Sequence, residues 1–300
     1  MEVRKLIQKD RSAVSTIAVI AIVIILVIAA GAAYMILSGN DKEEVAPGTM
    51  MKYEVYYNDV LSETQEQTVV GQNADSYLFS VKIFTTTQSY KLYSLEAKSS
   101  PSDMEMTGTE SMETMDGLKT LEVWKYTKNG YQVKSYIDAL TGLSYKDVAI
   151  VGTIEEKHIL IDYEIVTQTS YKQSKSIGKT YEYAIEVAPG ISYKAELKCV
   201  ADCLDNQFGV MYDFSSINLG EVYFLSANIQ GLPTDAINTG ATTTLSTIDG
   251  DVTVQVWGLT IAEGFSMTFF YDAETKLVYK FVVSITTLGD LPFELTKKPK

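Results

Sequence analysis

The feature that most constrains this chain is a charge-free segment near its start. Ser12 to Asn40 carries no charged side chain, and Ile17–Leu37 is an apolar run of 21 residues broken only by Gly31 and Tyr34. As a helix at about 1.5 Å per residue it would reach roughly 32 Å, close to the ~30 Å of a bilayer's hydrocarbon core. Arg4, Lys5, Lys9 and Arg11 precede it, and Asp41, Glu43 and Glu44 follow it with Lys42. Positive charge before an apolar span and acid after it predict a cytoplasmic N-terminus and an extracytoplasmic remainder. The expected division is a basic segment (1–11), a single-pass transmembrane helix (12–39), and a linker (40–48). In this reading Ile17, Ile22, Leu26, Gly31 and Leu37 contact membrane lipid as a signal anchor. Two other readings compete. Ala30-Gly31-Ala32 has the small-x-small spacing of a cleaved signal peptide, and a buried core helix is the third choice.

The run Lys9-Asp10-Arg11-Ser12-Ala13-Val14-Ser15-Thr16-Ile17, continuing into Ala18-Val19-Ile20-Ala21-Ile22-Val23, resembles the N-terminal segment of archaeal type IV pilin-like proteins. Those have a charged patch, then Ala-Val-Ser-Pro or a near variant, then a long aliphatic helix. Thr16 stands where the common form has Pro. The resemblance covers about residues 9–37. It implies an archaeal cell-surface protein and, more narrowly, a filament subunit processed near Val14.

Beyond residue 40 the chain is acidic, with 21 basic and 36 acidic side chains. That balance disfavours a nucleic-acid partner, which needs clustered Lys and Arg. The patterning is that of strands. Tyr131, Val133, Ser135 and Ile137 alternate with Gln132, Lys134, Tyr136 and Asp138, and Phe265 to Asp272 alternates likewise. Asn129-Gly130, Pro189-Gly190 and Asp249-Gly250 are hairpin signals. Glu96 to Gly117, polar and weakly patterned, reads as a long loop. The predicted class is mainly β: an N-terminal transmembrane α-helix followed by an antiparallel β-rich region of two related units, 49–170 and 171–300.

The two units are suggested by an internal match. Asp138-Ala139-Leu140-Thr141-Gly142-Leu143-Ser144-Tyr145-Lys146 and Asp272-Ala273-Glu274-Thr275-Lys276-Leu277-Val278-Tyr279-Lys280 agree at six of nine positions. Upstream, Val123-Trp124 matches Val256-Trp257, one residue out of step, and these are the chain's two tryptophans. Tyr53-Glu54 is matched to Tyr181-Glu182. Trp124, Asp138, Trp257 and Asp272 therefore mark the repeat.

Candidate chemistry is sparse. His158, the single imidazole, shares a strand face with Glu156, Leu160, Asp162 and Glu164, and reads as a polar surface residue. Cys199 and Cys203 would lie about 13 Å apart in an extended strand, so a disulfide needs the chain between them to turn; they are a disulfide candidate. No Gly-x-Ser-x-Gly elbow, phosphate-cradling loop or metal-ligand spacing occurs. Asp249-Gly250-Asp251 and Asp202-x-x-Asp205 lack the ligand series of a calcium loop. No catalytic, cofactor or metal residue is expected, and no cofactor. The expected function is binding or structural, toward a surface-protein or envelope partner. Alternatives are the filament subunit and an exported enzyme or carrier of a lipophilic ligand.

Overall fold

The computed structural model describes residues 44–86, 89–98, 102–128, 131–168, 171–188, 190–217, 220–262, 264–286 and 289–299. Their secondary structure is strand, apart from two 3-10 turns at Leu204–Asn206 and Ser215–Ile217. A short pair, β1 (Glu44–Val45) with β11 (Thr167–Gln168), ties the two ends of the first half together. Everything else belongs to a large antiparallel sheet with two arms.

The first arm comprises β2 (Met50–Tyr57), β3 (Val60–Gln72), β4 (Ser76–Phe84), β5 (Ser89–Ala97), β6 (Glu105–Thr114), β7 (Gly117–Lys128), β8 (Tyr131–Ile137), β9 (Ser144–Val151) and β10 (Ile154–Glu164). Its spatial order is 6-7-8-9-10-2-3-4-5, because β10 returns to pair with β2. The second arm comprises β12 (Thr180–Ala188), β13 (Ile191–Cys203), β14 (Phe208–Asp213), β15 (Glu221–Ser226), β16 (Ile237–Thr247), β17 (Gly250–Ala262), β18 (Phe265–Tyr271), β19 (Val278–Ile285) and β20 (Gly289–Lys297). Its order is 16-17-18-19-20-12-13-14-15, with β20 returning to β12. The series is the same strand for strand.

The arms meet where β3 pairs with β13: Gly71 lies opposite Cys203 and Gln72 opposite Asp202. Gln72 and Asp202 occupy the same place in their respective arms, two residues beyond the bulges at Val70 and Val200. The junction is thus a strand meeting its own counterpart about a local two-fold. Asn73 Nδ2 closes it with a 2.7 Å bond to the Val200 carbonyl. Gly71 is required there, since a Cβ would lie 2.3 Å from Cys203 Sγ and 2.8 Å from the Asp202 carbonyl oxygen.

The matched segments do the same work in each arm. Asp138 and Asp272 each accept a bond from the backbone N–H two residues on, at 2.8 and 3.0 Å. Each turn then buries a leucine, Leu143 or Leu277. The next tyrosine, Tyr145 or Tyr279, sits on a β-bulge. Its hydroxyl reaches the aspartate at the tip of the β6–β7 or β16–β17 hairpin, Asp116 or Asp249. Those tips read Thr114-Met-Asp-Gly117 and Thr247-Ile-Asp-Gly250. Each closes with the threonine hydroxyl on the glycine carbonyl, and the glycine φ is +91° or +94°. The one-residue slip between Trp124 and Trp257 is a bulge in β17, at Ile261.

Several expectations change. Glu96–Gly117 is not a loop: β6 occupies much of it, a polar edge strand whose outward side chains leave no apolar alternation to read. Tyr53 aligns with Tyr183, not Tyr181, because Tyr53 faces Gln65 and Tyr183 faces Ala195 at equivalent register. The class is all-β, without an α-helix among the described residues. The expected transmembrane helix over 12–39, with Ile17, Ile22, Leu26, Gly31 and Leu37, lies outside the described residues. Among those described, no helix is long and apolar enough to cross a membrane, which says nothing of a β-barrel. The single-pass membrane placement, the topology built on it and the lipid contact through a helix are therefore corrected: what the structure supports is a sheet protein. Asn129-Gly130 and Pro189 also lie outside the described residues, whereas Asp249-Gly250 does turn a hairpin.

Candidate polar site inside the first arm

The side chains that meet across each arm's sheet follow from register. In the second arm a row crosses the strands from Trp257 through Phe269 and Phe281 to Phe293. Phe281 and Phe293 stack at 5.1 Å, and Tyr212 meets Phe281 edge-on at 5.1 Å. Tyr183 and Tyr212 satisfy their hydroxyls on the carbonyls of Val278 and Gly231, both at 2.7 Å. This is an apolar core of aromatic type, with polar atoms paired.

The same row in the first arm runs Trp124, Ser135, Asp147, His158, Val55 and Glu63. Ser135 stands at the place of Phe269, Asp147 at that of Phe281 and His158 at that of Phe293. Beside them, Glu156 takes the place of Leu291, Gln65 that of Ala195 and Gln67 that of Leu197. All of these first-arm residues except Trp124, which is half-buried, are buried; Glu156 and Gln65 have no exposed surface and His158 is 2% exposed. The polar-surface reading of His158 is overturned. Its face carries Glu156, His158 and Leu160 inward, and strand alternation alone cannot say which side of a sheet is covered.

The polar groups are bonded in part. His158 Nε2 lies 2.7 Å from Glu156 Oε1, and Tyr53 meets the imidazole edge-on at 6.2 Å. Ser135 Oγ donates to Asp147 Oδ1 at 2.5 Å, and Ser144 Oγ donates to the same oxygen at 2.9 Å. Gln65 Nε2 donates to Glu63 Oε1 at 2.7 Å. Gln65 Oε1, Gln67 Oε1, Glu156 Oε2 and Tyr57 Oη are buried without a hydrogen-bond partner. Burial pushes the Glu63 carboxyl above its ordinary range, against the pull of the Gln65 amide and the His158 ring. Burial likewise pushes the phenols of Tyr53, Tyr57 and Tyr126 up, with Asp147 adding to the effect at Tyr53 and Tyr126 and Glu156 at Tyr57.

Of the residues singled out from sequence, Trp124 flanks this row, its Nε1 donating to Glu122 at 3.0 Å. Trp257 flanks the aromatic row and donates to Gln255 at 3.3 Å. Asp138 and Asp272 lie at turns and not in the site; Asp138 pairs with Lys119 at 2.9 Å. Cys199 and Cys203 are free thiols. They lie on one strand that stays extended through both, so the turn a disulfide needs does not form. Burial raises both thiols to about 12. Asp249 is engaged by Tyr279 and Lys298, and Asp202 by Tyr171 and the Ser174 amide. Among the described residues no group of three His, Cys, Asp or Glu side chains converges on a metal position. Sequence reasoning missed Glu63, Gln65, Gln67, Asp147 and Ser135. The available signal was the repeat itself: aligned on it, polar residues face phenylalanines.

What the fold defines is an all-β protein with a duplicated nine-stranded arm. No family model matches the chain, and no curated protein matches it. Among solved structures, a crystal structure of MucB in complex with MucA(peri) aligns at TM-score 0.29 and 11% identity, over 83% of this chain and 89% of that one. The complex of Pseudomonas aeruginosa MucA and MucB aligns at TM-score 0.29 and 10% identity, over 84% and 88%. MucB alone aligns at 0.26 and 10%, over 70% and 86%.

Proposed function

We propose that the protein is a non-catalytic binding protein, in which the second arm supplies packed support and the first arm carries a recessed polar recognition site. The observation that carries this reading is the exchange of a phenylalanine row for Ser135, Asp147 and His158 at equivalent positions of one duplicated sheet. The fold does not need those polar groups, since the second arm is built without them. Each buried polar atom without a partner costs about 1–3 kcal/mol, and a buried polar pair is seldom worth more than an apolar replacement. Groups kept at that cost are suited to recognition.

A binding role is supported over catalysis by the pairing. The Ser135 hydroxyl is held by Asp147, and His158 Nε2 is held by Glu156. No nucleophile–base contact of the hydrolase type is assembled. The site lies near the sheet end where the β2–β3 and β9–β10 hairpins turn. Val60, Leu61, Ile150 and Ile154 are exposed there, giving an apolar rim suited to a partner.

The test is a thermal-shift screen of the full-length protein against chemically varied small ligands, repeated on the double variant E156L/H158F. The reading expects hits whose stabilisation disappears in that variant. Hits that persist unchanged in it place recognition elsewhere and overturn the reading.

A further inference from the structure

We propose that β16 is a pairing edge, along which a second copy of this chain adds its own β16 antiparallel and continues the second arm's sheet across a two-fold axis. Each arm ends on two lateral strands, β5 and β6 in the first and β15 and β16 in the second. β15 carries the return of its own following loop: Ser226 is bridged to Pro233, and the Thr234 N–H donates to the Leu225 carbonyl at 2.8 Å. β5 meets the same return, where Asp235 takes Lys91 Nζ at 2.9 Å and Tyr93 Oη at 2.8 Å. Among the described residues β6 pairs with β7 alone, and β16 with β17 alone. Each of these two leaves a row of backbone N–H and C=O groups along its outer side, the template that a further strand needs.

The two open edges are counterparts, and they differ in charge. β6 carries Glu105, Glu110 and Glu113, whereas Ala236–Ile248 has no charged side chain in a protein of net charge −13. Edge strands are ordinarily blunted by charge, and two copies of β6 side by side would crowd Glu110 and Glu113 of each into one seam. β16 lacks that guard, so it is the edge on which two acidic chains can meet without repulsion. A bulge between Asn238 and Thr242 confines its regular pairing to Thr242–Thr247. With Thr244 on the axis, it faces the Thr244 of the other copy, Thr242 faces Ser246 and Thr243 faces Leu245. These are uncharged pairs, most of them between β-branched or hydroxyl side chains, of the kind that stabilise antiparallel neighbours. Thr242, Thr244 and Ser246 are exposed. Asp251, opposite Ser246 on β17, is tied to the Ser246 hydroxyl at 2.7 Å. Pairing of β16 with itself satisfies both copies at once and closes the assembly at a dimer.

The experiment is sedimentation equilibrium of the full-length protein in mild detergent over a range of concentration, with amide hydrogen exchange as a second reading. The expected result is a monomer–dimer equilibrium in which exchange at Thr242–Thr247 slows as the dimer fills. Thr244→Lys, at an exposed position, sets like charges together on the axis and is expected to weaken the dimer about tenfold or more. Thr244→Val keeps an uncharged β-former there and is expected to keep the dimer. Ser111→Lys, the equivalent change in β6, is expected to leave it unaltered. A protein that stays monomeric, a dimer equally stable in Thr244→Lys, or a dimer without slowed exchange at Thr242–Thr247 overturns the proposal. Growth beyond two copies overturns it as well, since an open series needs β16 to meet a different strand. Exchange in the unaltered chain reads the same seam, so the test stands even where a variant misfolds.

Discussion

His158 and Phe293 occupy the same position in two copies of one sheet. Each follows the second residue of its strand's inward row, each faces the β9 or β19 strand, at Asp147 or Phe281, and each is buried. One position holds an imidazole on a carboxylate, the other a stacked ring. The pair separates what the architecture demands from what this arm adds to it.

That comparison makes E156L/H158F, which copies Leu291 and Phe293 into the first arm, an expected stabiliser. Replacing a buried, mutually hydrogen-bonded polar pair by apolar residues of similar size is expected to stabilise by up to about 1–4 kcal/mol, the scale seen for buried charged pairs. His158→Ala alone removes one partner and leaves Glu156 buried, so a loss of about 3–5 kcal/mol is expected. Urea unfolding of both variants checks the opposite signs.

The junction between the arms is sterically closed. Gly71→Ala would drive a methyl group against Cys203 Sγ and the Asp202 carbonyl. A cost of about 1–3 kcal/mol is expected for such overpacking. Cys203→Ala in the same chain is expected to relieve only part, because the backbone contact remains. Hydrogen exchange at Gly71, Gln72, Asp202 and Cys203 would locate the damage.

Asp116 fastens the β6–β7 hairpin through Tyr145 and, at 3.0 Å, Tyr163. In the other arm Asp249 takes Tyr279 and Lys298. Asp116→Ala is expected to speed amide exchange across Glu105–Lys125 and leave the β16–β17 hairpin untouched. Loss of about 0.5–1.5 kcal/mol per hydrogen bond is the expected scale. Uniform exchange in both hairpins would contradict the latch.

Acidification acts through carboxyls of opposite sign. At Asp138 and Asp272 burial raises the carboxyl, but Lys119 at Asp138, Thr275 at Asp272 and backbone amides at both outweigh it, and each is held below its ordinary range. Their contribution is present above the unfolded value and is lost as pH falls through the depressed folded one. Glu63 is raised, so its contribution is full below the unfolded value and is lost as pH rises through the folded one. Glu63→Gln is therefore expected to stabilise near neutral pH and to lose that advantage in acid. A melting series over pH for both proteins reads the crossover.

The thiols of Cys199 and Cys203 are raised to about 12 and sit unpaired in a strand. Slow reaction with a thiol reagent is expected in the native protein, and two reactive thiols in denaturant without reductant. A single oxidised pair in denaturant would restore the disulfide.

Much of the sheet was legible in the residues. Alternation at Tyr131–Asp138 and Phe265–Asp272 names strands, because a pleated backbone sends successive side chains to opposite faces. The Asp138–Lys146 and Asp272–Lys280 match names equivalent turns, because an aspartate capping its own turn and a leucine beneath it are local requirements. Which face of β10 is buried was not legible. Glu156, His158 and Leu160 have the same alternation whether they face solvent or core, and only the way the whole sheet folds over decides which face is covered. β6 escaped for the complementary reason, since an exposed edge strand has no apolar face to announce it. Sequence alone determined the alternating strands, the equivalent Asp138 and Asp272 turns and the repeat, which depend on neighbours along the chain. The tertiary structure decided the buried polar row, the junction at Gly71 and Cys203, and the free state of the cysteines, since each depends on which distant strand lies alongside.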